Sequence, residues 1–394
     1  MPPRPDPHER APEKTPAGPD QAGARDEMQE KAQEVAREVP AHVRAFAPGR
    51  VNLIGEHTDY NDGLALAFAI AEGVTVDAER IGSEHERDPD GGGEQRVLAQ
   101  ALDFGEHDEF ALSDPQPVHG WRAFVRGTVA ELRRQGLRPV STSLRIEGGI
   151  PRGSGLSSSA ALEVALSLAL LALAGTAGDI GRTELAKLCS RVENEWAGAQ
   201  TGLLDQLTSL YGVQGMAMKI DFQTLHVDPT PLRLDGWRLA TLDTGERRDN
   251  ASSGYNQRRT ECARACELLG VRSLREASWD AVEQLPDPLR GRARHVLSDN
   301  ARVDQAVAAL RAGDLPALGA LLNASHASLR DDLEVSTPTV EATVQRMLTA
   351  GAAGARLLGG GFGGNVLGLL PPDAAVPASA REVYPCGGAR MLEG

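Results

Sequence analysis

A stretch of small residues that runs directly into an apolar segment constrains this chain more than any other feature. Residues 151–161 read PRGSGLSSSAA, and the segment through residue 174 is largely apolar. Small residues let backbone N–H groups, serine hydroxyls and the positive end of the following helix face one point. Such an arrangement binds anions, and phosphate is the usual one. The segment therefore predicts a phosphate-binding loop that opens a buried helix.

This loop differs from the two common nucleotide-binding motifs. It lacks the GK[ST] ending of a Walker loop, so no P-loop lysine is available. No strand–GxGxxG–helix unit with a later acidic residue supports dinucleotide binding. Taken alone, a Gly- and Ser-rich stretch could equally be a flexible surface loop. Pro151, Gly153 and Gly155 favour a shaped turn, and helix-forming residues follow Ser159 without a break.

Composition and charge narrow the class of protein. A chain of 394 residues with 41% hydrophobic content can bury one large core or two fused ones. A net charge of −14 argues against a nucleic-acid surface and favours small-molecule substrates. The longest apolar run is too short to cross a membrane, and the N-terminus shows no signal-peptide pattern. Since the four cysteines have no paired metal spacing, we expect a cytoplasmic protein with unpaired thiols.

Local patterns predict a mixture of strands and helices. Residues 1–25 are rich in Pro, Gly, Ala and charge, which predicts a disordered N-terminal tail. Strands are expected around residues 43–47 and 144–147. Helices are expected at residues 183–196 (with Thr183 as N-cap), 257–269, 299–311 and 340–349. This alternation indicates an α/β or α+β protein.

Two further Gly-rich blocks, residues 47–60 (APGRVNLIGEHTDY) and 354–364 (GARLLGGGFGG), lie on either side of the loop in the chain. With VENE at residues 192–195 and GLLDQ at 202–206, the chain resembles the GHMP small-molecule kinases from about residue 43 onward. The first block resembles the sugar signature of galactokinases. This resemblance implies an α+β, two-lobed fold, with domains at 40–220 and 221–394 and the active site between them. It also implies phosphorylation of the C1 hydroxyl of galactose by ATP with Mg²⁺.

The resemblance assigns the nucleotide side of the site. The ATP phosphates would lie on Gly153, Ser154, Gly155, Leu156, Ser157, Ser158 and Ser159. Magnesium would be held by Ser159 and Glu193, because a hydroxyl and one carboxylate leave room for water and phosphate oxygens. Helical periodicity does not distinguish Glu193 from Glu195, which flank the apolar stripe on opposite sides. The family's spacing to the catalytic aspartate selects Glu193.

The resemblance also assigns the reacting and sugar-binding groups. Asp205 would accept or orient the proton of the attacking hydroxyl, and Arg50 would stabilise its charge and that of the transferred phosphoryl group. From the residues alone, a lone Asp in a Gly-flanked loop could instead cap a helix. The sugar-binding residues would be Glu56, His57, Thr58, Asp59 and Tyr255. No nucleic acid, membrane or obligate protein partner is expected.

Six positions depart from the family's pattern: Ala67, Arg248, Asn250, Gly254, Leu358 and Asn365. They leave Arg50, Ser159, Glu193 and Asp205 untouched, so they affect the expected sugar side and catalytic efficiency rather than the reaction class. Two alternatives remain open. The first is a kinase for a related sugar, N-acetylgalactosamine or arabinose, and the second is a non-catalytic sensor of sugar and ATP. The run from Thr58 to Asn61 favours galactose, and the intact Gly-Ser loop argues against a sensor.

Overall fold

A computed structural model of the chain describes residues 39–81, 95–150, 155–246 and 251–393, without the side chains of residues 251–253. The predicted tail, residues 1–25, lies outside the described residues. Among the helices in these ranges, none combines the length and the apolar character needed to span a lipid bilayer.

The described strands form two sheets. Their bounds are β1 (His42–Ile54), β2 (Leu64–Arg80), β3 (Arg96–Ala101), β4 (Glu106–Ala111), β5 (Thr142–Gly148), β6 (Met216–Asp221), β7 (His226–Pro231), β8 (Arg238–Asp243), β9 (Gly354–Leu357), β10 (Asn365–Leu370), β11 (Arg381–Val383) and β12 (Arg390–Leu392). The larger sheet has the order β12-β1-β2-β5-β3-β4, with β6 on β2 and β7 on β6. The smaller sheet has the order β11-β8-β10-β9.

Helices pack against both sheets. They are α1 (Trp121–Arg134), α2 (Ser158–Leu173), α3 (Arg182–Arg191), α4 (Leu204–Tyr211), α5 (Ala251–Leu269), α6 (Trp279–Val282), α7 (Leu289–Ala312), α8 (Leu315–Asp331) and α9 (Pro338–Thr349). A π-helical turn, Val192–Trp196, continues α3. Two sheets of mainly antiparallel strands with these helices make an α+β fold, as the sequence predicted.

The centre of the larger sheet is apolar on both faces. Residues 64–70 of β2 are all buried, which is the pattern of a strand covered on both sides. On one edge β2 pairs with β1, and on the other it pairs first with β6 and then with β5. The helix α2 packs on β1 and β2 and is buried on nearly every face. The predicted buried helix after the Gly-Ser loop is therefore confirmed.

The last described strand joins the first. Within β12, Leu392 pairs with Arg44 of β1 and Arg390 pairs with Phe46 in antiparallel register. The proposed division of the chain at residue 220 remains a prediction.

The predicted strands and helices are present, with different ends. The helices α5 and α7 begin earlier than expected, at Ala251 and Leu289. The N-cap prediction for Thr183 was wrong, because α3 begins at Arg182 after Gly181. The Thr183 hydroxyl instead lies 2.7 Å from the hydroxyl of Tyr211. All four cysteines are free, as expected.

Candidate active site

The Gly-Ser loop is a shaped turn that opens α2. Gly155 and Ser157 both adopt positive φ, at 73° and 64°, and the helix starts at the next residue, Ser158. Leu156 lies between them and is buried. Two of the predicted phosphate ligands, Gly153 and Ser154, lie outside the described residues. The described half of the loop places Ser157, Ser158 and Ser159 along one cavity.

Arg50, in the middle of β1, holds this loop in place. Its backbone N–H donates to the carbonyl of Leu156 (3.1 Å), and its Nη1 donates to the carbonyl of Gly155 (2.6 Å). A Cβ on the preceding residue, Gly49, would overlap the Leu156 carbonyl, so only glycine allows this approach. The first Gly-rich block thus supports the second through backbone contacts.

Asp205 lies in the first turn of α4, between Arg50 and the loop. Arg50 Nη2 is 2.6 Å from Asp205 Oδ1, with side-chain exposures of 8% and 19%. The Ser157 hydroxyl donates to the other oxygen, Oδ2. Leu203, not Asp205, occupies the N-cap of α4, so the helix-capping alternative does not hold. Charge-assisted hydrogen bonds of this kind are short and strong, and they fix the position of the carboxylate.

Of the two candidate glutamates, Glu193 reaches the loop and Glu195 does not. The Ser159 hydroxyl donates to Glu193 Oε1 at 2.6 Å, and the Glu193 side chain is buried. Glu195 is exposed and lies 3.2 Å from Arg134 Nη1 on the outer surface. Burial and the nearby charge of Asp205 raise the pKa of Glu193, while hydrogen bonds to it act in the opposite direction.

The polar side chains that hydrogen-bond to Glu193 from the side away from the loop were not anticipated from the sequence. Gln206 Nε2 donates to Glu193 Oε2 (2.9 Å) and to Glu163 Oε2 (3.2 Å), and Thr201 Oγ1 donates to Glu193 Oε2 (2.8 Å). Burial raises the pKa of Glu163 well above its ordinary value. A signal was available, because Glu163 follows Ser159 by four residues in an apolar helix and must share its face.

Ser159 and Glu193 together fit a hard divalent cation. A hydroxyl oxygen and a carboxylate oxygen 2.6 Å apart are the donor types that Mg²⁺ accepts beside water and phosphate oxygens. A nearby cation would also favour the ionised form of Glu193, whose burial favours the neutral form.

On the opposite wall, the sugar signature supplies three of its four residues to the cavity. Glu56, His57 and Asp59 line it, and Thr58 does not. The Thr58 hydroxyl lies 2.9 Å from the carbonyl of Gly55 and 2.7 Å from that of Leu64, where it stabilises the turn. Thr58 thus shapes the loop that carries its neighbours.

Glu56 is anchored by residues distant in sequence. Its Oε1 accepts a hydrogen bond from the backbone N–H of Gly359 at 2.6 Å, and its carbonyl lies 2.9 Å from His295 Nε2. The fully buried Arg356 donates from Nη1 to the carbonyls of Asn52 and Leu53 at 3.0 and 3.1 Å. The C-terminal half therefore fixes the backbone of the sugar signature.

Three aromatic rings pack against one another on the sugar-signature side of the cavity. His57 Nδ1 lies 2.8 Å from the Tyr60 hydroxyl, and the rings of His57 and Tyr255 have centroids 4.9 Å apart. A Cβ on Gly360 would come within 2.8 Å of the Tyr255 ring, so the third Gly-rich block gives this ring its space. The backbones of Gly359 and Gly360 also contact the sugar signature, at Glu56 and His57.

Asp59 is a partly buried carboxyl in an acidic environment. Burial, together with the charges of Asp205 and Glu56, raises the pKa of Asp59 to about 7, although the nearby Arg259 acts in the opposite direction. The backbone N–H of Tyr60 donates to Asp59 Oδ1 at 3.0 Å. Burial and the Asp59 charge also raise the pKa of Tyr255 well above its usual value, so its phenol remains a donor.

The cavity has a volume of about 300 Å³ and is lined on one side by the phosphate loop and on the other by the sugar signature. Among the described departures from the family pattern, Gly254, Leu358 and Asn365 do not line the cavity. The ring of Phe362 occupies the space beside Gly254, where a Cβ would come within 2.6 Å of it. Leu358, within the third block, and Asn365, directly after it, are both buried. Arg248 and Asn250 lie outside the described residues.

Comparisons with known proteins agree with this arrangement. Family models match for the GHMP kinases N terminal domain (residues 123–213), the galactokinase galactose-binding signature (32–80) and the GHMP kinases C terminal domain (306–386). Galactokinase of Thermotoga petrophila is 37% identical over 333 residues, covering 84% of this chain and 90% of that one. Galactokinase of Mycobacterium bovis is 41% identical over 337 residues, covering 84% and 89%.

Solved structures give the same result. The Lactococcus lactis galactokinase complexed with galactose superposes with a TM-score of 0.82 and 31% identity, over 94% of this chain and all of that one. Methanococcus jannaschii mevalonate kinase, at 17% identity and a TM-score of 0.58, shares the fold. A loop of this kind at the start of a buried helix, in this fold, defines the class of GHMP small-molecule kinases. Within that class, the chain belongs to the galactokinase family.

Proposed function

We propose that this protein transfers the γ-phosphoryl group of ATP to the C1 hydroxyl of D-galactose, giving galactose 1-phosphate and ADP. The observation that carries the proposal is the position of Asp205. Its carboxylate is held by Arg50 at 2.6 Å and by Ser157, at the point where the phosphate loop and the sugar signature meet. Galactokinase relatives and the galactose complex of Lactococcus lactis galactokinase support galactose as the sugar.

Asp205 and Arg50 form the reacting centre. The Asp205 carboxylate accepts or orients the proton of the C1 hydroxyl as its oxygen attacks the γ-phosphorus. The proton leaves the oxygen as the bond to phosphorus forms and the bond to the ADP oxygen breaks. Arg50 places fixed positive charge beside the transferred group, and because it also bonds to Gly155, it ties Asp205 to the loop.

The loop holds the nucleotide through its own N–H groups and hydroxyls. Gly155 to Ser159 lie at the N-terminal end of α2, where the helix dipole favours negative charge, and the family resemblance assigns Gly153 and Ser154 to the same phosphates. Ser159 and Glu193 would hold Mg²⁺, which when bound screens the phosphate charge and positions the β- and γ-phosphates. Thr201 and Gln206 keep the Glu193 carboxylate turned toward Ser159.

Side chains on the sugar side of the cavity recognise sugar hydroxyl groups through hydrogen-bond acceptors and donors held in fixed positions. Glu56 and Asp59 present carboxylate oxygens, and Tyr255 and His57 complete the wall. A buried carboxylate that pairs with the axial C4 hydroxyl of galactose is left unpaired by glucose, which costs binding energy.

We further propose a cytoplasmic location, which is supported by four free thiols.

A coupled assay that follows ADP formation with ATP, Mg²⁺ and a panel of free sugars tests the proposal. Galactose should give the highest kcat/KM, ahead of glucose, N-acetylgalactosamine and arabinose. Preference for another sugar would overturn the substrate assignment. Binding of galactose and ATP without any ADP formation would overturn the assignment as an enzyme.

A further inference from the structure

Residues 197–203, which we call the strap, connect the π-helical turn to α4 and lie between the two walls of the cavity. Ala199, Gln200, Thr201 and Gly202 all line the cavity. We propose that the strap couples galactose binding to Mg²⁺–nucleotide binding, with Thr201 and Gly202 as its positioning residues. The inference rests on the proposed function, because it assigns galactose to one wall and nucleotide to the other.

One end of the coupling is a hydroxyl on the metal-site carboxylate. Thr201 Oγ1 donates to Glu193 Oε2 at 2.8 Å, on the oxygen opposite the one that accepts from Ser159. A carboxylate held at both oxygens has one orientation. The position of Thr201 therefore sets how Glu193 faces the loop.

The other end is a close contact with the sugar-side carboxylate. The Gly202 α-carbon packs so tightly on Asp59 that a Cβ there would overlap the Asp59 carboxylate. Thr201 and Gly202 are joined by one planar peptide bond, so a shift of one moves the other. Two carboxylates assigned to different substrates are thus linked through two adjacent residues.

A third contact ties the strap to α5. Arg259 Nη1 donates to the carbonyl of Gln200 at 2.7 Å, and its guanidinium lies 5.8 Å from the centre of the Tyr60 ring, beside Asp59. The strap itself contains no helix or strand, and its described backbone N–H donors are Ala197 and Ala199. Side-chain contacts at both walls therefore decide its position.

These contacts give the coupling a physical basis. Galactose hydroxyls bound to Asp59 fix the carboxylate against Gly202, which fixes Thr201 and hence Glu193. Nucleotide with Mg²⁺ at Glu193 fixes the same residues in the reverse direction. Because binding free energies are reciprocal, each ligand must raise the affinity for the other by the same factor.

Calorimetry on the full chain measures this factor directly. The Kd of galactose is determined with and without saturating Mg²⁺ and a non-hydrolysable ATP analogue, and the Kd of the analogue with and without galactose. In the wild-type protein we expect each ligand to tighten the other by about fivefold or more. Thr201→Val, which removes only the hydroxyl, should reduce the factor to below about twofold. Thr201→Ser should retain it, as should Thr176→Val beyond the far end of α2.

Arg259→Met provides a second variant that touches neither carboxylate and should also lower the factor. Equal galactose affinity with and without nucleotide in the wild-type protein would overturn the coupling, as would an undiminished factor in both Thr201→Val and Arg259→Met. Failure of galactose to bind under any condition would overturn the proposed function instead, so the two failures are distinguishable.

Discussion

The two aspartates of the cavity, one on each wall, differ in how their charge is balanced. On the nucleotide wall, Asp205 forms a direct ion pair with Arg50 at 2.6 Å. On the sugar wall, Asp59 accepts from a backbone N–H at 3.0 Å, and its pKa is raised to about 7. A wall that faces phosphate needs fixed counter-charge, whereas a wall that faces neutral hydroxyls needs acceptor oxygens left available to the ligand. The predictions below test this contrast, in order of decreasing effect.

The largest effect is expected from the paired carboxylate. Asp205→Asn removes the charge that faces Arg50 and the proton acceptor, and should lower kcat by about 10² to 10⁴. Melting temperature and nucleotide binding should change little. The exposed Asp304→Asn serves as a control and should retain wild-type kcat. A folded Asp205→Asn enzyme with near-normal turnover would remove Asp205 from the reacting centre.

A substitution on the sugar wall should mainly affect the KM of galactose. Asp59→Ala should raise the galactose KM on the order of 10², since sugar hydroxyls lose a buried acceptor. The ATP KM should rise far less, by about the fivefold coupling factor at most, because Asp59 lies on the opposite wall and acts on the nucleotide only through the strap. Wild-type enzyme should prefer galactose to glucose by a similar factor. Initial-rate kinetics with both substrates varied decide this, and equal damage to both KM values would contradict the separation of the walls.

Glu193 and Glu195 form a matched pair two residues apart. Glu193→Gln should raise the Mg²⁺ concentration for half-maximal activity by at least about tenfold, because a ligand and its hydrogen-bonded partners are disturbed together. Glu195→Ala, on the outer surface, should leave it unchanged. Magnesium titrations of both variants provide the measurement. The reverse result would show that the metal-site carboxylate was assigned to the wrong residue.

The smallest effect concerns pH. Because the pKa of Asp59 is raised to about 7, its carboxyl is ionised above that pH and neutral below it. If the ionised form binds the sugar, lowering the pH from 8 to 6 should raise the galactose KM about tenfold. Asp59→Asn should give a high but flat KM across this range. A wild-type KM that is constant from pH 8 to 6 would show that Asp59 does not titrate there.

Local features of the fold could be predicted from the sequence, and contacts between distant segments could not. The loop and buried helix at residues 151–174 were predictable because small residues and an apolar run act within a few residues of each other. The pairing of Arg50 with Asp205 joins residues 155 positions apart, and no local pattern contains it. The prediction that Arg50 acts beside Asp205 came from the family resemblance.

The supporting contacts went unpredicted for the same reason. Arg356 and His295 reach the sugar signature from the C-terminal half, and nothing near them in sequence marks that role. Thr58 illustrates a different limit. The family resemblance predicted a sugar contact for it, but its hydroxyl lies against two carbonyls of its own turn, and only the folded backbone shows this.

The pairing of β12 with β1 has a consequence for how the protein matures. The strand that carries Arg50 is bordered on one edge by residues 390–392, which are synthesised hundreds of residues later. Until they emerge, β1 presents an unpaired edge, the feature that promotes association with other chains. Contacts so distant in sequence also form slowly. A nascent chain of this protein therefore passes most of its synthesis with the β1 edge at residues 44–46 unpaired, and this edge is closed only when residues 390–392 emerge.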